Sequence, residues 1–559
     1  MLSKIYKITL LLFFVFFYQN IVYSKTFDEK NVYNYFSALV SLEKNKNIKS
    51  LNYFNSSKEL KESHPSYIKK YVFSLVLGEK VNRAISEIKM TKDKKFIDFF
   101  EAHLLLVLDG IKKNDYKKSL DHLNNLKRYE EEGSFEFIIS SFLEEYVHLF
   151  NDKQIKLNLD SQFGKMSLIN RTLQNCYLGH SETENFFENL TNYDEEGNSR
   201  YLFFYANYLI AQNNHLKAKD IFKDVDPINS TLLIAQAKKW IDKENYDDFK
   251  SIFSCKNSSD IIGEFLFIIS NLYSAEDQIN KSNFYFNLSN FLNPKFKFNF
   301  ALLVDNYFQK EEFTKAKKTL KNFNKKNEIY YWYRLKKIAQ IIGKENDKNK
   351  SFEYIKDKFG TIEKPSLKII YEMGNIVKSY EKYDLSIKYY TKVLSKLDPT
   401  SLIYADVLYR RGGSYERIGN EQEADEDLLK SLEINPDAPH VLNYLAYSWL
   451  ERNYKINSAI DMLEKAYAQR ENDPYIIDSI GWAYYLIGDY FEAEKLLRKA
   501  VQIMPTDPIV NDHYGDILWK LGRKTQANYF WKNVLTFEDT EEKMKEDIFY
   551  KLLKGPKNT

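Results

Sequence analysis

Residues 477–488 read IDSIGWAYYLIG, and 34 positions later residues 511–522 read NDHYGDILWKLG. Asp478 returns as Asp512, Gly481 as Gly515 and Gly488 as Gly522. A period of this length admits few folds: one such unit cannot bury its apolar face alone, so copies must stack into a continuous core. With Gly481 placed eighth, the unit starts at Pro474, and equivalent starts fall at Ala405, Pro439 and Pro508, spaced by 34, 35 and 34.

Small residues recur within the unit. That from Pro474 has Gly481, Ala493 and Ala500, with Leu497 between them and Pro505 at its close. The unit from Ala405 offers Gly412, Ala424, Leu428, Ser431 and Pro436; that from Pro439 offers Ala446, Ala459, Leu463 and Ala466; that from Pro508 offers Gly515, Ala527 and Trp531. Antiparallel helices approach closely only where side chains are small, so Gly481 and Ala493 mark the contact within a pair and Ala500 the contact with the next. Gly488 suits the turn, and Pro505 cannot continue a helical ladder. The pattern resembles the tetratricopeptide repeat. Apolar spacings of three and four dominate elsewhere, which predicts an all-α protein, a tetratricopeptide-repeat superhelical solenoid with degenerate repeats in its N-terminal part.

A looser unit from about Leu367 carries Gly374, Ser386 and Tyr390, and fragments survive upstream at Ala38 with Ser50, Ala206 with Ala218, and Ala316 with Leu320. The expected organisation is a signal peptide over 1–24, degenerate helical repeats over 25–363, the clear array over 364–539, and a capping helix with tail over 540–559. Asp539 with Glu542 is expected to open that last helix and Gly555-Pro556 to stop it, its polar face shielding the stack from solvent.

The start of the chain follows an export pattern: Lys4 and Lys7, ten apolar residues from Ile8 to Phe17, and a cleavage site at Val22–Ser24. Ten apolar residues are short for a spanning helix, so the mature chain is expected in the periplasm, envelope-associated and without a transmembrane helix. No cysteine lies near the cleavage site to carry a lipid. Removing two lysines and no acids with the leader lowers the net charge from +3 to +1, which leaves no footprint for nucleic acid. Cys176 and Cys255, 79 residues apart, are expected as buried free thiols.

Nothing in the sequence requires catalysis, a cofactor or a metal. The eight histidines are scattered with no HExxH, and the glycines of RRGGSYERIG (410–419) stand at repeat positions eight and fifteen instead of forming a phosphate loop. Function is therefore expected where the repeats vary. In stacked pairs the first helix lines the concave surface, and its second, fifth, ninth and twelfth residues point into the groove. These rows supply the candidate partner-binding residues Tyr409, Asn443, Tyr447, Asp478, Trp482, Tyr485, Asp512, Asp516 and Trp519. Trp482 and Trp519 are expected on the groove surface, whereas Trp449 and Trp531 belong to the core; Asp478 and Asp512 suit either ligand contact or pairing between helices. Aromatic side chains beside Asp and Asn are what a peptide-binding groove uses.

LNYLAYSWLER (442–452), YIIDSIGWAYYLIGDYFEAEKLLRKAV (475–501) and DPIVNDHYGDILWKLGRKTQANYFWKNVL (507–535) resemble exported bacterial tetratricopeptide proteins of alphaproteobacterial type. These in turn are similar to the outer-membrane lipoprotein adaptor of a periplasmic C-terminal processing protease. The resemblance covers about 365–540 and implies a non-enzymatic scaffold whose groove brings a protease and its substrates together; the lipid-attachment cysteine of the lipoprotein is missing here. The alternative is a structural component of an envelope or outer-membrane biogenesis assembly.

Overall fold

A computed structural model of the protein describes residues 28–129, 131, 133–155, 163–192, 199–345 and 347–556. The expected signal peptide and the last three residues of the tail lie outside them. The described residues form thirty α-helices and no strand, as the repeat period predicts. The chain divides into two compact units, one of residues up to Val225 with Ser230–Ile341, the other of Asp226–Asn229 with Ile342 onward.

The second unit holds five hairpins: Leu367–Ser379 with Tyr383–Leu394, Leu402–Arg417 with Glu421–Ile434, Pro439–Glu451 with Ile456–Gln469, Pro474–Leu486 with Tyr490–Ile503, and Pro508–Lys520 with Lys524–Val534. Pro474 and Pro508 sit in the first turn, where the missing amide costs nothing, and the Asp473 and Asp507 carboxylates accept from the amides of Tyr475 and Ile509 at 3.1 and 2.9 Å. A methyl group on Gly481 would come within 2.8 Å of Leu497 Cγ, and one on Gly515 would collide with the Trp531 indole. In these two units the eighth position is thus glycine because the second helix leaves no room. Trp449 and Trp531 are buried. The last helix, Glu542–Lys554, starts later than Asp539 would place it, with no side-chain cap, because Thr540 turns inward and donates to the Val534 carbonyl at 2.6 Å.

The first unit repeats the same construction with other residues than glycine at the eighth and fifteenth positions. Ala38 and Ser50, Val72 and Ala84, Val107 and Ser119, Ala206 and Ala218, Ala237 and Phe249, Ser270 and Ser282, and Val304 and Ala316 are fully buried pairs, each twelve apart like Gly481 and Ala493. Serines serve where a methyl group would, their hydroxyls satisfied across the helix contact: Ser50 Oγ donates to the Ala38 carbonyl at 2.9 Å and Ser119 Oγ to that of Val107 at 2.9 Å. Seven residues beyond each first member the chain turns with positive φ, at Asn45, Glu79, Asn114, Asn213, Glu244, Asp277 and Glu311, where the clear repeats place Gly419, Gly488 and Gly522. The next amide closes each turn onto a carbonyl five residues back, as in Lys80 to Leu75 at 2.9 Å and Glu312 to Tyr307 at 2.8 Å.

One expectation is overturned. Cys176, on helix Lys165–Leu178, and Cys255, in the loop after helix Tyr246–Ile252, are joined by a disulfide, their Cα atoms 5.8 Å apart. Separation along the chain hid the pairing because the intervening hairpins bring this loop back against the earlier helix. Lys256 Nζ donates to the Tyr177 carbonyl at 2.9 Å, and Asn207 Nδ2 donates to the carbonyls of Phe249 and Phe253 at 2.9 and 3.2 Å, so the loop is pinned on both sides of Cys255.

Candidate functional site

The first helices of the second unit set their second, fifth, ninth and twelfth residues in successive rows. From Pro439 onward the second-position row is open, with His440, Tyr475 and Ile509 exposed, whereas Lys368 is buried and Asp406 half-buried in the two hairpins before it. Tyr409, Asn443, Tyr447, Asp512 and Trp519 are half-buried. Asp478, Trp482, Tyr485 and Asp516 are buried, Trp482 being 8% exposed, which corrects the expectation that they present a reading surface.

The floor is closed from within. The Trp482 indole lies between Tyr485 and His513, stacked on them at 4.6 and 4.1 Å with planes within 11°. His513 Nδ1 meets Asp478 Oδ2 at 2.9 Å. One repeat further on, Lys551 Nζ donates to Asp512 Oδ1 at 2.7 Å and to Asp516 Oδ2 at 2.9 Å, while Trp531 Nε1 donates to Asp516 Oδ1 at 3.1 Å. The cause is a register effect: the sixth or tenth residue of each first helix lies across the fifth and ninth of the preceding one, so bulky residues there cover one another. Of the alternatives for Asp478 and Asp512, both take pairing between helices.

Electrostatics follow the packing. Burial of the His513 imidazole is the largest influence and favours its neutral form, but the charge and hydrogen bond of Asp478, with the charges of Asp512 and Glu451, outweigh it and raise its pKa to about 9. Burial pushes the Asp516 carboxyl up and the charge of Asp512 adds to this, against the pull of Lys551.

Toward the start of the array the packing leaves a niche beside a half-buried cation, Lys378, which sequence reasoning missed. A methyl group on Gly413 would come within 3.0 Å of Lys378 Nζ and 3.3 Å of Tyr444 Oη, so the absent side chain leaves a niche that these two groups face. Lys378 Nζ donates to the Arg410 carbonyl at 3.2 Å, and burial, followed by the charges of Arg410 and Arg417, lowers its pKa to about 8. Tyr409 meets Tyr444 and His440 edge-on at 5.7 and 4.9 Å, and Tyr444 Oη donates to Glu416 Oε2 at 3.0 Å. Lys378 is the twelfth residue of the loose unit from Leu367, so carrying the groove rule one unit back would have found it.

Comparison with known proteins bears on the repeat alone. Residues 405–438 match the tetratricopeptide repeat family model. The TPR repeat-containing protein PA4667 of Pseudomonas aeruginosa is 32% identical over 111 residues, which are 20% of this chain and 19% of that protein. Among solved structures, the thermophilic TPR protein TTC0263 of Thermus thermophilus is 18% identical, over 34% of this chain and 100% of that one, with a TM-score of 0.29. MamA of Desulfovibrio magneticus RS-1 is 18% identical, over 32% of this chain and 97% of that one, with a TM-score of 0.26. The 34-residue hairpins, their glycine and alanine contacts and the match of one of them to the family model together show that the fold is all-α and built of tetratricopeptide repeats.

Proposed function

We propose that this protein is an exported, non-enzymatic scaffold of the periplasm that binds segments of partner proteins along the open edge of its C-terminal array. The observation that carries the reading is that edge: His440, Tyr475 and Ile509 stand exposed at equivalent places in successive repeats, next to half-buried Tyr409 and the Lys378 niche. Exposed aromatic and aliphatic side chains on a rigid, already filled floor bind with little ordering cost. The disulfide supports an oxidising compartment, and the export pattern of the first 24 residues agrees with one. The partners we favour are a C-terminal processing protease and its substrates, on the resemblance carried by residues 442–535.

The test is affinity capture from envelope extract with residues 25–559 and with a Tyr409→Ala, Tyr475→Ala, Ile509→Ala variant. A protease or its substrates should bind the native chain and be lost from the variant at unchanged helicity. Equal capture by both sinks the groove reading. A second reading, a component of an envelope assembly, is favoured by Phe491 and Tyr529, exposed on the second helices of their repeats; under it, Phe491→Ser with Tyr529→Ser removes the captured proteins and the groove variant does not.

A further inference from the structure

The two ends of the described chain each leave an apolar helix face uncovered. On helix Glu29–Glu43, Tyr33, Phe36 and Val40 are 66%, 59% and 54% exposed, three and four residues apart on one side. With Ala38 in the eighth position, they are the third, sixth and tenth residues. That is the side each first helix of the C-terminal array turns to its predecessor: Tyr444 in sixth place meets Tyr409, His513 in sixth place meets Trp482, and Lys551 in tenth place meets Asp516. The stripe is a stacking face with no predecessor among the described residues.

At the other end, helix Glu542–Lys554 begins 34 residues after Pro508 and is in register as a first helix with no second helix among the described residues. Phe549 occupies the eighth place, where Gly374, Gly412, Ala446, Gly481 and Gly515 admit a second helix in the other units. A phenyl ring there excludes the close helix and leaves a ledge instead: Phe549 and Leu553 are 57% and 83% exposed, and Glu542 and Glu546 continue their side of the helix. The N-terminal stripe ends in exposed Lys44. Neither Lys44 nor Glu546 has an ion-pair partner among the described residues.

We infer that the occupant of each face is the other end of a second copy of this chain. Laid antiparallel, the two helices set Val40 and Phe36 against Phe549, Tyr33 against Leu553, and Lys44 against Glu546, so apolar and charged residues match together. The two faces differ, so the contact is heterologous and adds copies head to tail.

Sedimentation velocity on residues 25–559, which include every described residue, tests this across a concentration series. The native chain should grow with concentration. Phe36→Asp and Leu553→Asp, both at exposed sites, should each stay monomeric, whereas an equimolar mixture should give dimers and nothing larger, because one intact pair of faces remains. Tyr33→Asp and Phe549→Asp provide a second pair should either first variant lose helicity. Lys44→Glu should weaken association at least tenfold and Glu546→Lys should restore it in the double variant. A native chain monomeric throughout overturns the inference. So does a Leu553→Asp dimer, which would mean that two N-terminal stripes pair with each other.

Discussion

His513 shows how one side chain couples the concave floor to solvent conditions. Its imidazolium is held by Asp478, Asp512 and Glu451 inside a buried stack, so its folded pKa lies at about 9, against the ordinary 6.5 of a histidine. The contribution to stability is fully present below about pH 6.5 and is lost as pH rises through about 9; at its largest it is about 3 kcal/mol. Burial of Asp516 acts with the same sign, since a carboxyl raised by its surroundings also favours the protonated folded state. Thermal melts between pH 6.5 and 8, below the range in which the lowered Lys378 acts with the opposite sign, should fall in the native chain and flatten in His513→Gln; a native chain with no slope there would mean that His513 is neutral. Trp482→Ala should cost about 3–5 kcal/mol by opening a cavity between Tyr485 and His513, far more than an exposed groove residue would. The backbone gives a gentler test. Glu311 holds φ +55° at a turn where glycine is the natural occupant, so Glu311→Gly should stabilise by about 1 kcal/mol, measured by urea unfolding.

At the scale of the hairpin, the repeats from Leu367 onward were legible because their contacts use glycine and alanine, residues that stand out in a sequence. The first unit keeps the same twelve- and seven-residue intervals but fills them with Val107 and Ser119, or Val304 and Ala316, and turns at Glu79 or Glu311. None of those residue types announces a close contact or a left-handed turn, so the register emerges only once burial and φ are known. The groove rule failed for a related reason. It gives the direction of Trp482 and Asp516 from their own helix, yet their exposure is decided by His513 and Lys551 on the next one. The disulfide belongs to this scale too, since it fastens a loop to a helix two hairpins earlier. Cys176→Ser removes a 79-residue closed loop and should cost up to about 4 kcal/mol under oxidising conditions, and nothing when the native chain is already reduced.

At the scale of the whole chain, these levers fall in different units. Cys176 and Cys255 lie in the first unit, His513 and its partners in the second. In stacked repeats stability is a sum of local terms and nearest-neighbour contacts, so an effect placed in one unit need not reach the other. Calorimetry of residues 25–559 should therefore resolve two transitions. A reductant should lower one of them and leave the other in place, whereas raising the pH from 6.5 to 8 should lower only the second. Cys176→Ser should reproduce the reductant and abolish its effect, and His513→Gln should do the same for pH. A single transition moved by both treatments would mean that the two units melt as one cooperative block, and stability would then have to be assigned to the chain as a whole instead of to its halves.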